Sequence, residues 1–389
     1  MHSSTESTRA TTPADSHHHH HLEEVPEGPL AANEPLNNPH PSATPPRMSG
    51  WEFTTKVLNG ISIAVVVALV PQALLGELLK ALLPVFPAGA EIITLVSLAT
   101  STLPLLIGVL VAMQFKLTPI QTASVGIAAI CGSGVAKVDP SGGFHLQGTG
   151  LVINTGLTAA IAVGLIYLIG ERLRNYTILL LSTLVTLIAG GIGWVITYPL
   201  VQLFTVWLGN LINHTTTLQP VVMGMVLAIL FAALIVSPIS TVGLATAIMM
   251  SGVASGTANL GVVAAGFGLM VAGWRVNGLG TALLHVLGSP KVQMANAFKK
   301  PAMMVPIICN AACLGAIGGL LGISGTPISA GFGISGLVGP LAAVNAGGSI
   351  ALVAGVFVLL PLALALLFTW IFQKLVPLTS AADYALEFD

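Results

Sequence analysis

Beyond residue 56 the chain is a succession of long apolar stretches separated by short polar breaks. A helix that crosses hydrocarbon needs about 20 predominantly apolar residues. The stretches 57–79, 91–113, 118–136, 148–170, 176–198, 218–236, 238–256, 258–274, 301–322 and 348–373 meet that need. The pattern predicts an all-α polytopic membrane protein with about ten transmembrane helices. Two further apolar segments, 72–86 and 199–212, read as interfacial, because Pro71 and Pro199 should each end or kink the preceding helix. Segment 326–340 is short, Gly-rich and carries Pro327 and Pro340 near its ends, which predicts a re-entrant loop buried in protein.

Composition strengthens this picture. Of 389 residues, 13 are Lys or Arg and 14 are Asp or Glu, so 7% are charged, against roughly 25% in an ordinary soluble domain. Hydrophobic residues make up 54%, and mean hydropathy is +0.91. So few charges cannot cover a soluble surface, which excludes the soluble enzyme classes. A net charge of −1 excludes nucleic-acid binding through a strongly basic surface. Residues 1–50 are different. They are rich in Pro, Ser, Thr and His, lack apolar periodicity, and read as a disordered cytoplasmic tail. The tail has no signal-peptide core. Its histidine run, His17 to His21, reads as a tag remnant or a natural tract. Residues 51–380 form the membrane domain and 381–389 a short cytoplasmic C-terminus.

Charge placement predicts orientation. With the N-terminus inside and every stretch spanning, Arg47, Lys56, Lys116, Arg172, Arg174, Arg275, Lys291, Lys299, Lys300 and Lys374 face inward. Only Lys80 and Lys137 face outward. Lys and Arg mark the cytoplasmic side, so both termini are expected there. If 118–136 and 238–256 were instead re-entrant, each half would cross three times and the halves would be inverted repeats.

Proline-led motifs support a repeat. Thr118-Pro119-Ile120-Gln121 recurs as Ser237-Pro238-Ile239-Ser240, followed by Thr241, and again as Thr326-Pro327-Ile328-Ser329. Internal repeats with proline-broken segments at matching positions characterise transporters, whose sites lie at such breaks. Each motif sets a hydroxyl or amide beside freed backbone groups, able to cap them or to bind a ligand. Asn and Gln amides donate and accept together, which suits uncharged polar solutes such as sugars. The candidate solute-binding residues are Thr118, Gln121, Asn154, Ser237, Ser240, Thr241, Asn259, Thr326 and Ser329.

Ionisable groups within spans are scarce. No acidic residue lies between Arg172 and Ala382, which leaves little room for a proton-relay carboxylate. Glu77 and Lys80 share a helical face and read as an interfacial pair. The loop 137–145 reads as either an extracellular gate or a plain turn. Segment 275–300 holds Arg275, Lys291, Lys299 and Lys300 without an acid, and reads as an interfacial helix or as a cytoplasmic docking face. His285 has no partner at metal-ligand spacing, so neither a metal site nor a cofactor is expected. Cys131, Cys309 and Cys313 read as small buried residues. No P-loop, nucleophile elbow or zinc motif is present, and no catalytic residue is assigned.

Several segments carry a family resemblance. These are Asn59-Gly60-Ile61, residues 65–71 (VVVALVP), residues 73–77 (ALLGE), 237–241 (SPIST), 288–296 (GSPKVQMAN) and 325–333 (GTPISAGFG). Here the chain resembles the phosphotransferase-system EIIC-like membrane proteins of the second type, which include perfringolysin-regulator-like proteins. The resemblance covers about residues 50–375. It implies a bacterial plasma-membrane permease for sugar uptake coupled to phosphoenolpyruvate, partner IIA and IIB proteins, and a homodimer in lipid. Sugar permeases of that system ordinarily carry a membrane-embedded glutamate in a Gly-Ile-Thr-Glu-Pro-type motif, which the acid-free stretch after Glu171 does not supply. The alternative reading is a membrane-bound regulator or sensor without transport.

Overall fold

The computed structural model describes residues 48–388. The histidine run and nearly all of the N-terminal tail lie outside the described residues, as does the side chain of Glu77.

Helix α1 (Gly50–Leu82) starts at Ser49, whose hydroxyl accepts from Glu52 N at 3.1 Å. It runs 33 residues straight through Pro71. The expected break there does not occur. A membrane helix tolerates an internal proline when its neighbours hold it, and the buried face of α1 is held by α3. Next come α2 (Gly89–Ser101) and α3 (Leu103–Gln114), which meet at a 43° bend. Helix α4 (Pro119–Ser133) leads into a two-stranded antiparallel hairpin, β1 (Ala136–Val138) and β2 (Phe144–Leu146). This settles loop 137–145 as a hairpin turn in form. Its chain reversal is made by Asp139, whose carbonyl accepts from Gly142 N at 2.9 Å. Helix α5 (Val152–Ile169) closes the first half.

Helices α6 (Thr177–Val185) and α7 (Tyr198–Thr215) belong to one apolar helical run of 42 residues, Arg174–Thr215, so Pro199 does not separate them. The linking turns are π-helical. The π turns Gly193–Thr197, Gly355–Leu359 and Ile371–Leu375 each end two residues before a proline, at Pro199, Pro361 and Pro377. A proline ring presses on the carbonyl four residues back. Those carbonyls belong to Val195, Phe357 and Gln373, inside the widened turns. At Pro199 and Pro361 the wider turn accommodates the ring without ending the run, whereas the last helix stops at Leu375, before Pro377.

The second half comprises α8 (Pro220–Ile235), the short α9 (Thr241–Ala247), α10 (Gly252–Ala272), α11 (Trp274–Leu287), α12 (Met294–Lys299) and α13 (Val305–Leu320). Then follow α14 (Val338–Asn345), α15 (Ile350–Ala354) and α16 (Leu360–Trp370). Helix α10 is the axis of this half, with 94% of its apolar window buried. Its small residues let α8, α13 and α16 close around it. Segment 326–340 contains no helix of spanning length and is pinned to α10, with Gly252 and Gly325 exchanging backbone hydrogen bonds of 3.0 and 2.9 Å.

Among the described residues, six helices are long and apolar enough to cross a membrane, or seven if the bent pair counts as one span. Hydropathy windows suggested about ten. Windows 118–136 and 218–236 form helices of only 15 and 16 residues, and 238–256 is divided between α9 and the start of α10. Two hydrophobic cores result. One is built mainly from α1, α3, α4, α5 and α6, and the other around α10.

In the second core, α8 and α13 cross backbone to backbone. A Cβ on Gly224 would strike the Gly315 carbonyl, and one on Gly315 the Gly224 carbonyl. Gly315→Ala should therefore destabilise the purified protein by about 1–3 kcal/mol through overpacking. Gly164→Ala, which meets nothing within 4 Å, should not. Thermal unfolding in detergent compares the two, and equal melting temperatures would contradict this packing.

Candidate functional site

A cavity of about 490 Å³ opens at the seam of the two cores. The first half contributes Val65, Leu69 and Gln72 of α1, Leu103 of α3, Lys137 of β1, and residues 147–152 after β2. Tyr198 of α7 closes one side. The second half contributes residues 240–243, 288–291, Gly331, Phe332 and Ser335.

Three loops of the second half are locked to one another. The loop before α9 is held by Lys291, whose ammonium donates to Ser237 O and Ile239 O, both at 2.6 Å. Ser237 Oγ donates to Leu234 O at 2.7 Å and accepts from Ile239 N at 3.1 Å. Ser240 caps α9 by accepting from Gly243 N at 3.0 Å, which leaves its own O–H free to donate. Thr241 Oγ1 donates to Gly331 O at 3.2 Å. Gly331 is required there, since a Cβ would lie 2.5 Å from Val242 N. Asn259 on α10 clamps Gly333, donating to its carbonyl at 3.1 Å and accepting from its N–H at 2.6 Å. Ser335 Oγ ties this loop to the 288–291 turn by donating to Gly288 O at 2.7 Å.

The three proline-led motifs do not act alike. In the first, Thr118 and Gln121 form a reciprocal capping box at the start of α4, and neither lines the cavity. In the third, Thr326 and Ser329 form the same reciprocal pair, at 2.8 and 3.2 Å. It lies behind the cavity wall, with the Thr326 carbonyl accepting from Ser255. The second forms no such pair: Ser237 N donates to Leu234 O, the Ser237 hydroxyl accepts from Ile239 N, and the Ser240 hydroxyl accepts from Gly243 N. Ser240 and Thr241 are the sequence-predicted solute residues that line the cavity, while Ser237 and Asn259 shape it from behind. Asn154 is fully buried elsewhere, donating to Gly132 O and Gly193 O and accepting from Thr197.

Lys291 is a correction to the expected docking face. It is 6% exposed, its residue lines the cavity, and it does not stand on an exposed surface. Burial pushes its ammonium down to about 7, and the two carbonyls are what favour the charged form against that cost. Its placement also means that 288–291, expected at the cytoplasmic face, and Lys137, expected outside, meet at one cavity. Arg275 and Lys299 are exposed and Lys300 is half-buried. Lys299 and Lys300 line a second, polar groove of about 490 Å³ with Lys56, Asn59, Gln114 and Asn296, whereas Arg275 lies apart from it.

The far wall of that groove is the C-terminal segment. Tyr384 is fully buried and donates through its hydroxyl to Met303 O at 2.7 Å. Asn277 and Gln293 donate to Tyr384 O at 2.8 and 2.9 Å, and Lys300 pairs with Asp383 at 2.7 Å. Burial lowers His285 to about 4, so its ring is neutral. Its Nδ1–H donates to Ala282 O, and its Nε2 accepts from Gln293. Helices α11 and α12 are thus fixed at one end by the C-terminal segment and at the 288–291 turn by Lys291.

Gln72, Lys137, Gln147 and Tyr198 also line the cavity. Lys137 and Gln147 come from the stretch between α4 and α5, where chain-level signals gave only a polar loop. Among the described residues, no group of His, Cys, Asp and Glu is placed to hold a metal ion.

Residues 55–386 match the family model described as "Phosphotransferase system, EIIC". No curated protein matches the chain, and no solved structure does.

Removing the Lys291 ammonium should leave two carbonyls without donors in the protein interior. Lys291→Met is expected to destabilise the fold by about 1–3 kcal/mol and to speed hydrogen exchange across 237–243. Unchanged stability and exchange would refute the anchoring role.

Proposed function

The chain belongs to the phosphotransferase-system EIIC family, and we propose that the cavity between its two cores is where this multi-pass plasma-membrane sugar-transport component holds its solute. The observation that carries the proposal is the joining, at one cavity, of loops from both halves, one of them the second proline-led segment. Ligand pockets typically enclose about 300–1,000 Å³ with a few convergent polar groups on apolar walls, and this cavity of about 490 Å³ has that character. Ser240 and Thr241 are the first candidates to contact solute, with Gln72, Gln147 and Tyr198 opposite.

EIIC components work with IIA and IIB proteins. The phosphoryl-carrying steps fall to those partners, since no catalytic residue is assigned to this chain. We place their docking at the groove around Lys299 and Lys300, with Arg275 nearby in sequence, on a cytoplasmic face that also bears both termini. The excess of Lys and Arg supports that orientation. In this reading the short α4 and α9 enter the membrane without crossing while the 16-residue α8 does cross, which keeps the number of crossings even, and a homodimer in lipid is the expected assembly.

Gln147 is exposed at the cavity and offers a test. Gln147→Cys labelled with a bulky maleimide should abolish sugar binding and uptake in proteoliposomes, with wild type treated identically as control. Full uptake by the labelled variant would place the solute elsewhere.

A further inference from the structure

Resting on that reading of the cavity, we propose that the solute it is built for is a polyhydroxylated molecule carrying an anionic group, with Lys291 and Lys137 as the cationic partners. The cavity lining includes two lysines and, among the described residues, no aspartate or glutamate. Neither lysine has a carboxylate partner among the described residues. Lys291 is 6% exposed, and its only hydrogen-bond acceptors among the described residues are the neutral carbonyls of Ser237 and Ile239. An ammonium has three N–H donors, so one is left over at a residue lining the cavity. Lys137 is exposed on β1 and forms no ion pair among the described residues. The nearest acid in sequence, Asp139, is engaged by Ser141 at 3.2 Å and lies 3.9 Å from His145.

The physical consequence concerns sign. A buried ammonium without a counter-charge carries a desolvation cost that backbone dipoles only partly offset. A neutral sugar entering the cavity would displace water and deepen that cost. A carboxylate or phosphate would supply the missing charge, and a charge-assisted hydrogen bond is roughly twice as strong as a neutral one. The polyol half of the ligand follows from the remaining groups. The Ser240 hydroxyl retains a free donor, and the side chains of Gln72, Gln147 and Tyr198 have no hydrogen-bond partner among the described residues. Amides and hydroxyls that both donate and accept match sugar hydroxyls. The two features occur in one cavity, which distinguishes this ligand from a plain anion and from a neutral sugar.

The test is equilibrium binding to the purified full-length protein in lipid nanodiscs. Glucose, galactose and mannose are each compared with their 6-uronic acids and 6-phosphates, beside inorganic phosphate. The expected result is binding of at least one acidic sugar at least tenfold tighter than its neutral parent, weakening as salt is raised. Lys137→Gln, at an exposed position, should lose about tenfold in that affinity without a change in melting temperature. Whether uronate or phosphate binds better identifies the anionic group. Neutral sugars bound as tightly as acidic ones would overturn the charge assignment and leave the solute site standing. Inorganic phosphate bound as tightly as any acidic sugar would overturn the polyol part. Binding of none of these probes would overturn both this inference and the solute site on which it rests.

Discussion

The arrangement turns on one buried cation. No acidic residue lies between Arg172 and Ala382, and the C-terminal Asp383 is taken by Lys300, so Lys291 has no carboxylate partner among the described residues. It is satisfied by the Ser237 and Ile239 carbonyls, which the break at Pro238 leaves outside any helix. The cation and the broken backbone therefore solve each other's problem. An unsatisfied carbonyl in a water-free interior costs several kcal/mol, and so does an ammonium without acceptors. Joining them fixes the turn before α9 against the turn after α11, and the cavity lies beside that joint.

The same constraint explains the rest of the irregular backbone. At several further places where the chain leaves helical geometry inside the protein, a short polar side chain meets the freed groups. Asn259 clamps Gly333, Ser335 reaches Gly288, Thr241 reaches Gly331, and Ser255 meets Thr326. Asn154 does this for Gly132 and Gly193 in the first half. The amides and hydroxyls of this protein are thus divided between holding loops and facing the cavity. The C-terminal segment extends the scheme. It binds Asn277, Gln293 and Asn296 through its backbone, so α11 and α12 are held at both ends.

Much of this was legible in the sequence. The apolar stretches and the charge scarcity gave a polytopic helical membrane protein, and the motifs at 237–241, 288–296 and 325–333 carried the EIIC resemblance that the family match supports. Ser240 and Thr241 were found through the repeated proline-led motif and do line the cavity. Other features were hidden for physical reasons. Hydropathy windows do not measure helix length, so 118–136, 218–236 and 238–256 each read as a span although the helices there have at most 16 residues or are divided. Prolines were read as breaks, but packing carried α1 through Pro71, and a π turn carried the 174–215 run through Pro199. Lys291 looked like an interfacial charge, because nothing local reveals that two carbonyls more than 50 residues away would receive it. Asn154 resembled a ligand group because a helix-fastening amide and a binding amide have the same sequence signature.

If the Lys291 joint and the cavity beside it receive the solute, hydrogen–deuterium exchange of the protein in nanodiscs, with and without a saturating sugar or sugar acid, will show it. Exchange should slow in 147–152, 237–243 and 288–291 together, with residues 118–121 unaffected. Protection at 118–121 with none at the three cavity segments would contradict that placement of the solute.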